Sequence, residues 1–179
     1  ELMVKDKHIR ELVIPAAKIR SRVRELGKEI GRDYRGRDLM LLGILRGSLL
    51  FMADLLRAIS IPVSVDFMAI TGYGGTGGTS KVVRVVKDLE EDIAGKDVLI
   101  IEDIVDTGLT LGYLMPLLQA RGPASLHICT LLDRSFMRIV PLPIRYRGFE
   151  LPDIFVVGYG LDWKQRYRNM SELAADLSA

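Results

Sequence analysis

The chain has 179 residues, of which 49% are hydrophobic and 27% charged, a balance that is typical of a globular domain and excludes a disordered or fibrous protein. The 25 basic and 23 acidic residues leave a formal net charge of +2, which is too even for a protein that coats nucleic acid or anionic lipid. Apolar runs such as Leu39–Leu45 are far too short to span a membrane, and the single cysteine, Cys129, excludes an internal disulfide. We therefore expect a cytoplasmic protein with neither a membrane nor a nucleic-acid partner.

The first part of the chain predicts helices and strands in alternation. A helix over Ile14–Tyr34 is indicated by apolar residues that recur every three or four positions, with Pro15 in its first turn. The continuous apolar run Leu39–Leu45 predicts a strand that is buried on both faces. Ser48 is a candidate N-cap for a second helix, and the β-branched segment Val63–Ile70 predicts the next strand.

The second part continues this alternation after a glycine-rich segment. Thr71–Ser80 has five glycines in ten residues, which predicts a mobile loop. A helix is predicted over Leu109–Ala120, where Gly122 and Pro123 end it. Strands are predicted wherever apolar and branched residues cluster, at Lys81–Val86, Asp97–Ile101, Leu126–Leu132 and Ile154–Val157. This order predicts an α/β fold with a doubly wound, mostly parallel sheet, which binds ligands at the carboxyl ends of its strands.

One glycine motif can be set aside. Gly72–Gly77 matches the pattern G-x-G-x-x-G, but a dinucleotide site requires a helix directly after these glycines, and the next predicted element is a strand. The same loop lacks the Gly-Lys-Ser or Gly-Lys-Thr ending of a P-loop. We therefore predict neither kind of site here.

The segment Val98–Thr110 carries the strongest chemical signal. A predicted buried strand ends at Glu102 and Asp103, and a turn that contains Asp106 and Thr107 leads into a helix. The backbone N–H groups of such a turn, its hydroxyls and the helix dipole suit a phosphate monoester, while the carboxylates suit ribose hydroxyls or Mg²⁺. A lone acid here would be a solvated charge or a helix cap, but three acids within five residues favour a ribose 5-phosphate site.

Val98–Thr110 resembles the phosphoribosyl pyrophosphate signature of the type I phosphoribosyltransferases, and the whole chain resembles the hypoxanthine-guanine phosphoribosyltransferases. Three further segments match in order: Leu45–Ser48, the glycine-rich loop with Tyr73, and Phe149–Arg168. The resemblance implies that residues 1–179 form a single domain with the type I fold. It also implies a small hood built from residues of about 1–14 and 133–179, and a homodimer or homotetramer.

The resemblance also implies the reaction. The enzyme would transfer the 5-phosphoribosyl group from phosphoribosyl pyrophosphate to hypoxanthine or guanine, with Mg²⁺, and the glycine-rich loop would close over the site. Two alternatives stay open: a transferase that prefers xanthine, and a regulator that senses phosphoribosyl pyrophosphate while it binds nucleic acid.

Site residues follow from the matched motifs. Asp106 is implied as the catalytic residue that handles the proton at purine N7. The expected contacts of phosphoribosyl pyrophosphate are Arg46, Gly47, Tyr73, Glu102, Asp103, Asp106, Thr107, Gly108, Leu109, Thr110 and Arg168. The expected contacts of the purine are Ile104, Arg134, Phe155, Val156 and Asp162. The expected Mg²⁺ ligands are Glu102, Asp103 and Asp162. Arg138 matches a further arginine of the family.

The chain departs from the family pattern at several positions. Arg134 stands where a lysine usually reads the purine O6, and its planar fork has a longer reach and a different geometry. Gly72 replaces the usual serine before Tyr73, and Trp163 replaces a usual tyrosine. These changes bear on which purine is preferred.

Other reactive residue types give no site. His8 and His127 lack metal-ligand spacing, so we expect structural or exposed side chains. Cys129 lies in an apolar strand and is expected to be a buried, inert thiol.

Overall fold

The computed structural model describes residues 9–73 and 82–176, which form two sheets and three helices. The elements in chain order are β1 (Ile9–Ile14), α1 (Ala16–Asp33), β2 (Leu39–Leu45), α2 (Leu49–Ala58), β3 (Ser64–Tyr73), β4 (Val82–Lys87), β5 (Asp97–Val105), α3 (Leu109–Gln119), β6 (Ser125–Asp133), a 3₁₀ turn (Ser135–Met137), β7 (Ile144–Glu150), β8 (Val156–Val157) and β9 (Leu173–Asp176). No helix within these residues is both long and apolar enough to cross a bilayer.

The central sheet has six strands in the order β4-β3-β2-β5-β6-β7. All neighbours are parallel except β4, which pairs with β3 in the antiparallel sense at one edge. Helices cover both faces. Leu39 and Leu41 of β2 pack in the core with α1 and α2, whereas Met40 and Leu42 pack in the core with α3. This double burial explains the uninterrupted apolar run of β2 and confirms the predicted α/β fold class.

A second, three-stranded antiparallel sheet has the order β1-β9-β8. It joins the amino-terminal strand to two segments from the end of the chain, as expected for a hood built from the termini. The predicted strand Ile154–Val157 is shorter in the structure, Val156–Val157, and it belongs to this small sheet. β1, β7 and β9 were not predicted, because each is defined by its pairing with residues far away in the sequence.

Two helix predictions need correction at their starts. α1 begins at Ala16, because Pro15 has extended backbone angles (φ −63°, ψ 146°) and Ile14 is the last residue of β1. Ser48 does not cap α2 with its side chain. Its buried hydroxyl instead donates to the carbonyl oxygen of Ile44, at 2.5 Å.

β5 is longer than predicted, and this changes the setting of the acidic residues. The strand continues beyond Ile101 to Val105, because β6 extends equally far and pairs Glu102 with Thr130 and Val105 with Asp133. Glu102 and Asp103 therefore lie within a central strand and not just after its end. Their positions are fixed by the sheet before any ligand binds.

Candidate active site

Two adjoining cavities lie at the carboxyl end of β5. The turn cavity, of about 310 Å³, is lined by Glu102, Asp103, Ile104, Val105, Asp106, Thr107, Gly108, Leu109, Thr110 and Leu111. The hood cavity, of about 320 Å³, is lined by Gly47, Asp103, Ile104, Asp106, Arg134, Ile154, Phe155, Val156, Leu161, Asp162 and Arg168. Asp103, Ile104 and Asp106 line both cavities. The two cavities thus meet at the carboxylates of Asp103 and Asp106.

The turn of residues 106–110 connects β5 to α3 and has the features of an anion cradle. Gly108, the N-cap of α3, has φ 81°, a conformation that L side chains rarely adopt. The backbone N–H groups of Asp106, Thr107 and Gly108 donate to no acceptor among the described residues. Because free N–H groups and a helix N-terminus both favour negative charge, this turn suits a phosphate group.

Glu102 and Asp103 form a crowded acidic pair beside the turn. Glu102 is buried, and burial together with the adjacent Asp103 carboxylate raises its pKa well above the usual value. Burial raises the pKa of Asp103 to about 6, although the Ile104 N–H donates to its Oδ1 and the charge of Arg168 favours the ionised form. A bound cation would relieve the cost of these two charges.

The acidic pair suits a hard divalent cation such as Mg²⁺, which prefers carboxylate oxygens. Within the described part of the chain, no three His, Cys, Asp or Glu side chains converge on one metal position. Asp162 is separately engaged, with Oδ1 2.6 Å from Arg168 and Oδ2 accepting from the Gln165 N–H at 2.8 Å. A cation here would therefore take its remaining ligands from a bound substrate or from water.

The loop after β2 approaches the acidic pair closely. The peptide bond between Leu45 and Arg46 is cis. A Cβ on Gly47 would lie 1.6 Å from Oδ2 of Asp103, and a Cβ on Gly160 would lie 2.0 Å from the carbonyl oxygen of Gly47. A side chain is thus excluded at Gly160, where it would meet backbone, whereas at Gly47 it would require the Asp103 carboxylate to move.

Basic side chains border the same region. Arg168 donates to the carbonyl oxygen of Gly160 at 2.7 Å and pairs with Asp162. Gln165 accepts from Arg168 at 3.3 Å and from Arg46 at 3.0 Å, so it links the two arginines. Gln165 was not predicted, since a single glutamine in a polar segment gives no signal of its own.

Arg134 lines the hood cavity and forms ion pairs with two carboxylates. One terminal nitrogen of its guanidinium lies 3.3 Å from Oδ1 of Asp106, and the other lies 2.5 Å from Oδ1 of Asp153. The Arg134 side chain is only 14% exposed, whereas the Asp153 side chain is 77% exposed. Asp153 was also missed, because its contact with Arg134 depends on the path of the chain and not on a local motif. Phe155, two residues later, is 44% exposed and lines the hood cavity.

Most of the residues predicted from the sequence lie in these two cavities. Arg46 is an exception, because it lines neither cavity and contacts Gln165. Tyr73 ends β3, and its side chain is outside the part of the chain that the structure describes. The loop was predicted to begin at Thr71, but Thr71–Tyr73 belong to β3, which pairs with β4. Residues 74–81 are outside the described part, so closure of the loop stays a prediction.

The free amides, the paired carboxylates and the adjoining cavity lie together at the carboxyl edge of a parallel sheet, an arrangement that suits a sugar phosphate. Residues 15–164 match the family model described as the phosphoribosyl transferase domain, and the chain belongs to this family.

Within this family, the chain is similar to hypoxanthine and hypoxanthine-guanine phosphoribosyltransferases. The chain is 50% identical over 166 residues to the hypoxanthine phosphoribosyltransferase of Salmonella typhimurium, a match that covers 92% of this chain and 93% of the relative. It is 47% identical over 169 residues to the hypoxanthine-guanine phosphoribosyltransferase of Mycobacterium tuberculosis, covering 91% and 84% of the two chains. A solved hypoxanthine phosphoribosyltransferase from Staphylococcus aureus superposes with a TM-score of 0.89 at 42% identity, covering 94% of this chain and 91% of that one.

Proposed function

We propose that this chain is an enzyme of purine salvage. It transfers the 5-phosphoribosyl group from phosphoribosyl pyrophosphate to hypoxanthine or guanine, which yields IMP or GMP and pyrophosphate. The observation that carries the proposal is the meeting of the turn cavity and the hood cavity at Asp103 and Asp106. The similarity to enzymes named for this reaction supports it.

The donor is assigned to the turn cavity and the loop at Gly47. The free N–H groups of residues 106–108, with the hydroxyls of Thr107 and Thr110, bind the 5′-phosphate. Glu102 and Asp103 accept hydrogen bonds from the ribose hydroxyls. The backbone at Gly47 and the guanidinium of Arg168 face the pyrophosphate. Fixing the phosphate and the pyrophosphate at opposite ends holds the sugar in line for attack by the purine.

Mg²⁺ is the proposed cofactor, with Glu102 and Asp103 as ligands of one ion and Asp162 as a ligand of a second. When bound, Mg²⁺ neutralises charge on the departing pyrophosphate. The raised pKa of both acids in the pair supports this assignment, because a nearby cation favours their ionised forms.

The purine is assigned to the hood cavity. Phe155 stacks on one face of the ring and Ile104 contacts the other, while the backbone of Val156 and the region of Asp162 meet the base edge. Arg134 donates to the 6-oxo group. Its guanidinium also favours the second candidate function, a transferase that prefers xanthine, because a planar fork at the base edge offers more donors than a lysine.

Asp106 is the proposed catalytic residue. Its carboxylate lines both cavities and is 42% exposed, so it is accessible to the purine. There it accepts the proton from purine N7 and stabilises positive charge that develops on the ribosyl ring as pyrophosphate leaves.

The remaining assignments concern the whole molecule. We propose that residues 1–179 form one cytoplasmic domain that assembles as a homodimer or homotetramer. The free, buried thiol of Cys129 supports the cytoplasmic location. The apolar side chains of Leu49 and Leu56 on α2, which are 50% and 37% exposed, support assembly with further copies of the chain.

Product binding tests the proposed function without relying on turnover. Calorimetric titration with IMP and AMP compares a 6-oxo with a 6-amino purine on the same sugar phosphate. We expect IMP to bind at least tenfold more tightly, because Arg134 donates to an oxygen and not to an amino group. Equal affinities would contradict the assignment of the hood cavity to a 6-oxopurine.

A further inference from the structure

The 106–110 turn is supported from outside by the segment of residues 134–142. The carbonyl oxygen of Val105 accepts from the Arg134 N–H at 3.0 Å. The carbonyl oxygen of Thr107 accepts from the N–H groups of Ile139 and Val140, at 2.9 and 3.2 Å. The outer segment thus holds the turn by its carbonyl groups, whereas the N–H groups of residues 106–108 donate to no acceptor among the described residues.

Arg138 holds this outer segment against the turn. Its Nη2 donates to the carbonyl oxygen of Val105 at 3.4 Å and also to Asp133. Its Cδ lies 3.2 Å from the position that a Cβ on Gly108 would take. Arg138 lines neither the turn cavity nor the hood cavity, so it acts on a bound ligand only through the turn.

Asp133 fixes the position of the Arg138 guanidinium through an ion pair. The Asp133 side chain is fully buried at the end of β6. Arg147 supplies a second positive charge, with Nε 2.6 Å from Oδ2 of Asp133, although this ion pair lacks hydrogen-bond geometry. Asp133 is thus paired with two guanidinium groups, of which only that of Arg138 touches the turn.

The energetics argue against a purely stabilising role for this cluster. Burial removes charges from water at a large cost in free energy, and apolar replacements of buried ion pairs are often neutral or stabilising. In addition, Nε and Nη1 of Arg138 are buried without a hydrogen-bond partner among the described residues. A donor left unpaired in this way lowers stability. What the arrangement supplies is a fixed position for the Val105 carbonyl and for residue 108.

We propose that Arg138, anchored by Asp133, is a positioning residue that sets the shape of the 106–110 turn for the 5′-phosphate. The proposal rests on the proposed function, since it assigns that phosphate to the turn. Its expected effect is on phosphate affinity, since Arg138 itself does not line the hood cavity.

The test compares Arg138→Met with Arg147→Met, which removes the other guanidinium from Asp133 without touching the turn. Ribose 5-phosphate is titrated into each full-length variant, and the KM values for phosphoribosyl pyrophosphate and hypoxanthine are measured separately. We expect Arg138→Met to weaken ribose 5-phosphate binding and raise the donor KM by roughly 10- to 100-fold, as for a misplaced binding group. The hypoxanthine KM should stay within about twofold, and Arg147→Met should leave both ligands within about twofold.

Arg138→Lys keeps the positive charge beside Asp133 but loses the fork, so it should recover part of the phosphate affinity. This variant also serves if Arg138→Met does not fold. Equal losses in the Arg138 and Arg147 variants, in proportion to their melting temperatures, would overturn the proposal, as would normal phosphate binding by Arg138→Lys and Arg138→Met alike. If the wild type binds ribose 5-phosphate but turns over no purine, the proposed function fails while this comparison still decides the role of Arg138.

Discussion

Oδ2 of Asp103 lies 1.6 Å from the position that a Cβ on residue 47 would occupy, so the carboxylate fills the space that Gly47 leaves open. This contact joins the end of β5 to the loop after β2. Both lie at the carboxyl edge of the central sheet, since β2 and β5 are parallel neighbours. The proposed site for pyrophosphate and the proposed site for the ribose therefore depend on a single glycine.

Gly47→Ala should disable the site while the fold survives. The new Cβ forces the Asp103 carboxylate to move, which costs little for folding because it is the end of a side chain, but it displaces a proposed ligand of ribose and Mg²⁺. We expect kcat/KM to fall by roughly 10²-fold or more, with a melting temperature within a few degrees of wild type. Gly31→Ala, in α1, is the control, because its Cβ would meet only Ser60, with the hydroxyl 3.1 Å and the backbone nitrogen 3.5 Å away, and neither residue lines the two cavities. Normal activity in Gly47→Ala would show that the position of Asp103 is not needed.

Asp106→Asn should lower turnover by roughly 10²- to 10⁴-fold with a modest change in the donor KM, because the amide neither accepts the N7 proton nor stabilises positive charge. Asp153→Asn is the matched control, since both carboxylates contact Arg134. The Asp153 side chain is largely exposed, and the loss of its charge should change activity by no more than about fivefold. Steady-state kinetics with hypoxanthine separate the two variants. Unchanged turnover in Asp106→Asn would remove its catalytic role.

Arg134→Met should reduce the preference of the protein for 6-oxopurines. The variant lacks the donor to the 6-oxo group, so the ratio of IMP to AMP affinity should fall by about tenfold or more, in line with a charged hydrogen bond. Arg134→Lys should retain most of the preference, since an ammonium group still donates. Titration with the two nucleotides measures both ratios. A ratio in Arg134→Met equal to that of wild type would mean that another group reads the 6-position.

His127 should contribute a loss of stability at mildly acidic pH, opposite in sign to the contribution of Glu102 and Asp103, whose raised pKa values favour the folded state as the pH falls. Burial, with the charges of Arg145 and Arg37, lowers its pKa below the ordinary 6.5. The folded state thus favours neutral imidazole, and the resulting stability is complete above pH 6.5 and declines as the pH falls below that value. The decline cannot exceed about 1.4 kcal/mol per pH unit for one proton.

His127→Gln should remove this contribution, so the free energy of unfolding of wild type relative to the variant, measured by urea unfolding, should fall between pH 8 and pH 5. His8→Gln is the control, because His8 is the other of the two histidines in the chain. A pH dependence in His127→Gln that matched wild type would assign the effect to other groups.

The sequence predicted those parts of the site that are contiguous in the chain. The turn of residues 106–110 has a local signature, because its glycine, its hydroxyls and the following helix are consecutive. The end of β5 was placed too early, since Glu102 and Asp103 are charged residues and only the pairing with β6 keeps them in the strand. The contacts of Asp153 and Gln165 were out of reach, because each joins segments that are distant in the sequence.

The thiol of Cys129 was predicted correctly for a simple reason. It lies in a continuous apolar strand, and the structure buries it completely. Burial raises its pKa far above the usual value, so the thiol stays protonated and unreactive. By contrast, the pairing of β1 with β9 was not predicted, because it joins residues near the two ends of the chain and leaves no local pattern in the sequence.

The most direct test of the proposed function is an absorbance assay with phosphoribosyl pyrophosphate and Mg²⁺, in which hypoxanthine, guanine, xanthine and adenine are offered separately. We predict turnover with hypoxanthine or guanine, none with adenine, and loss of all turnover when Mg²⁺ is chelated. Xanthine as the best substrate would support the second candidate function and point to Arg134. Binding of the donor without turnover of any purine would contradict the enzyme assignment and favour a protein that senses phosphoribosyl pyrophosphate.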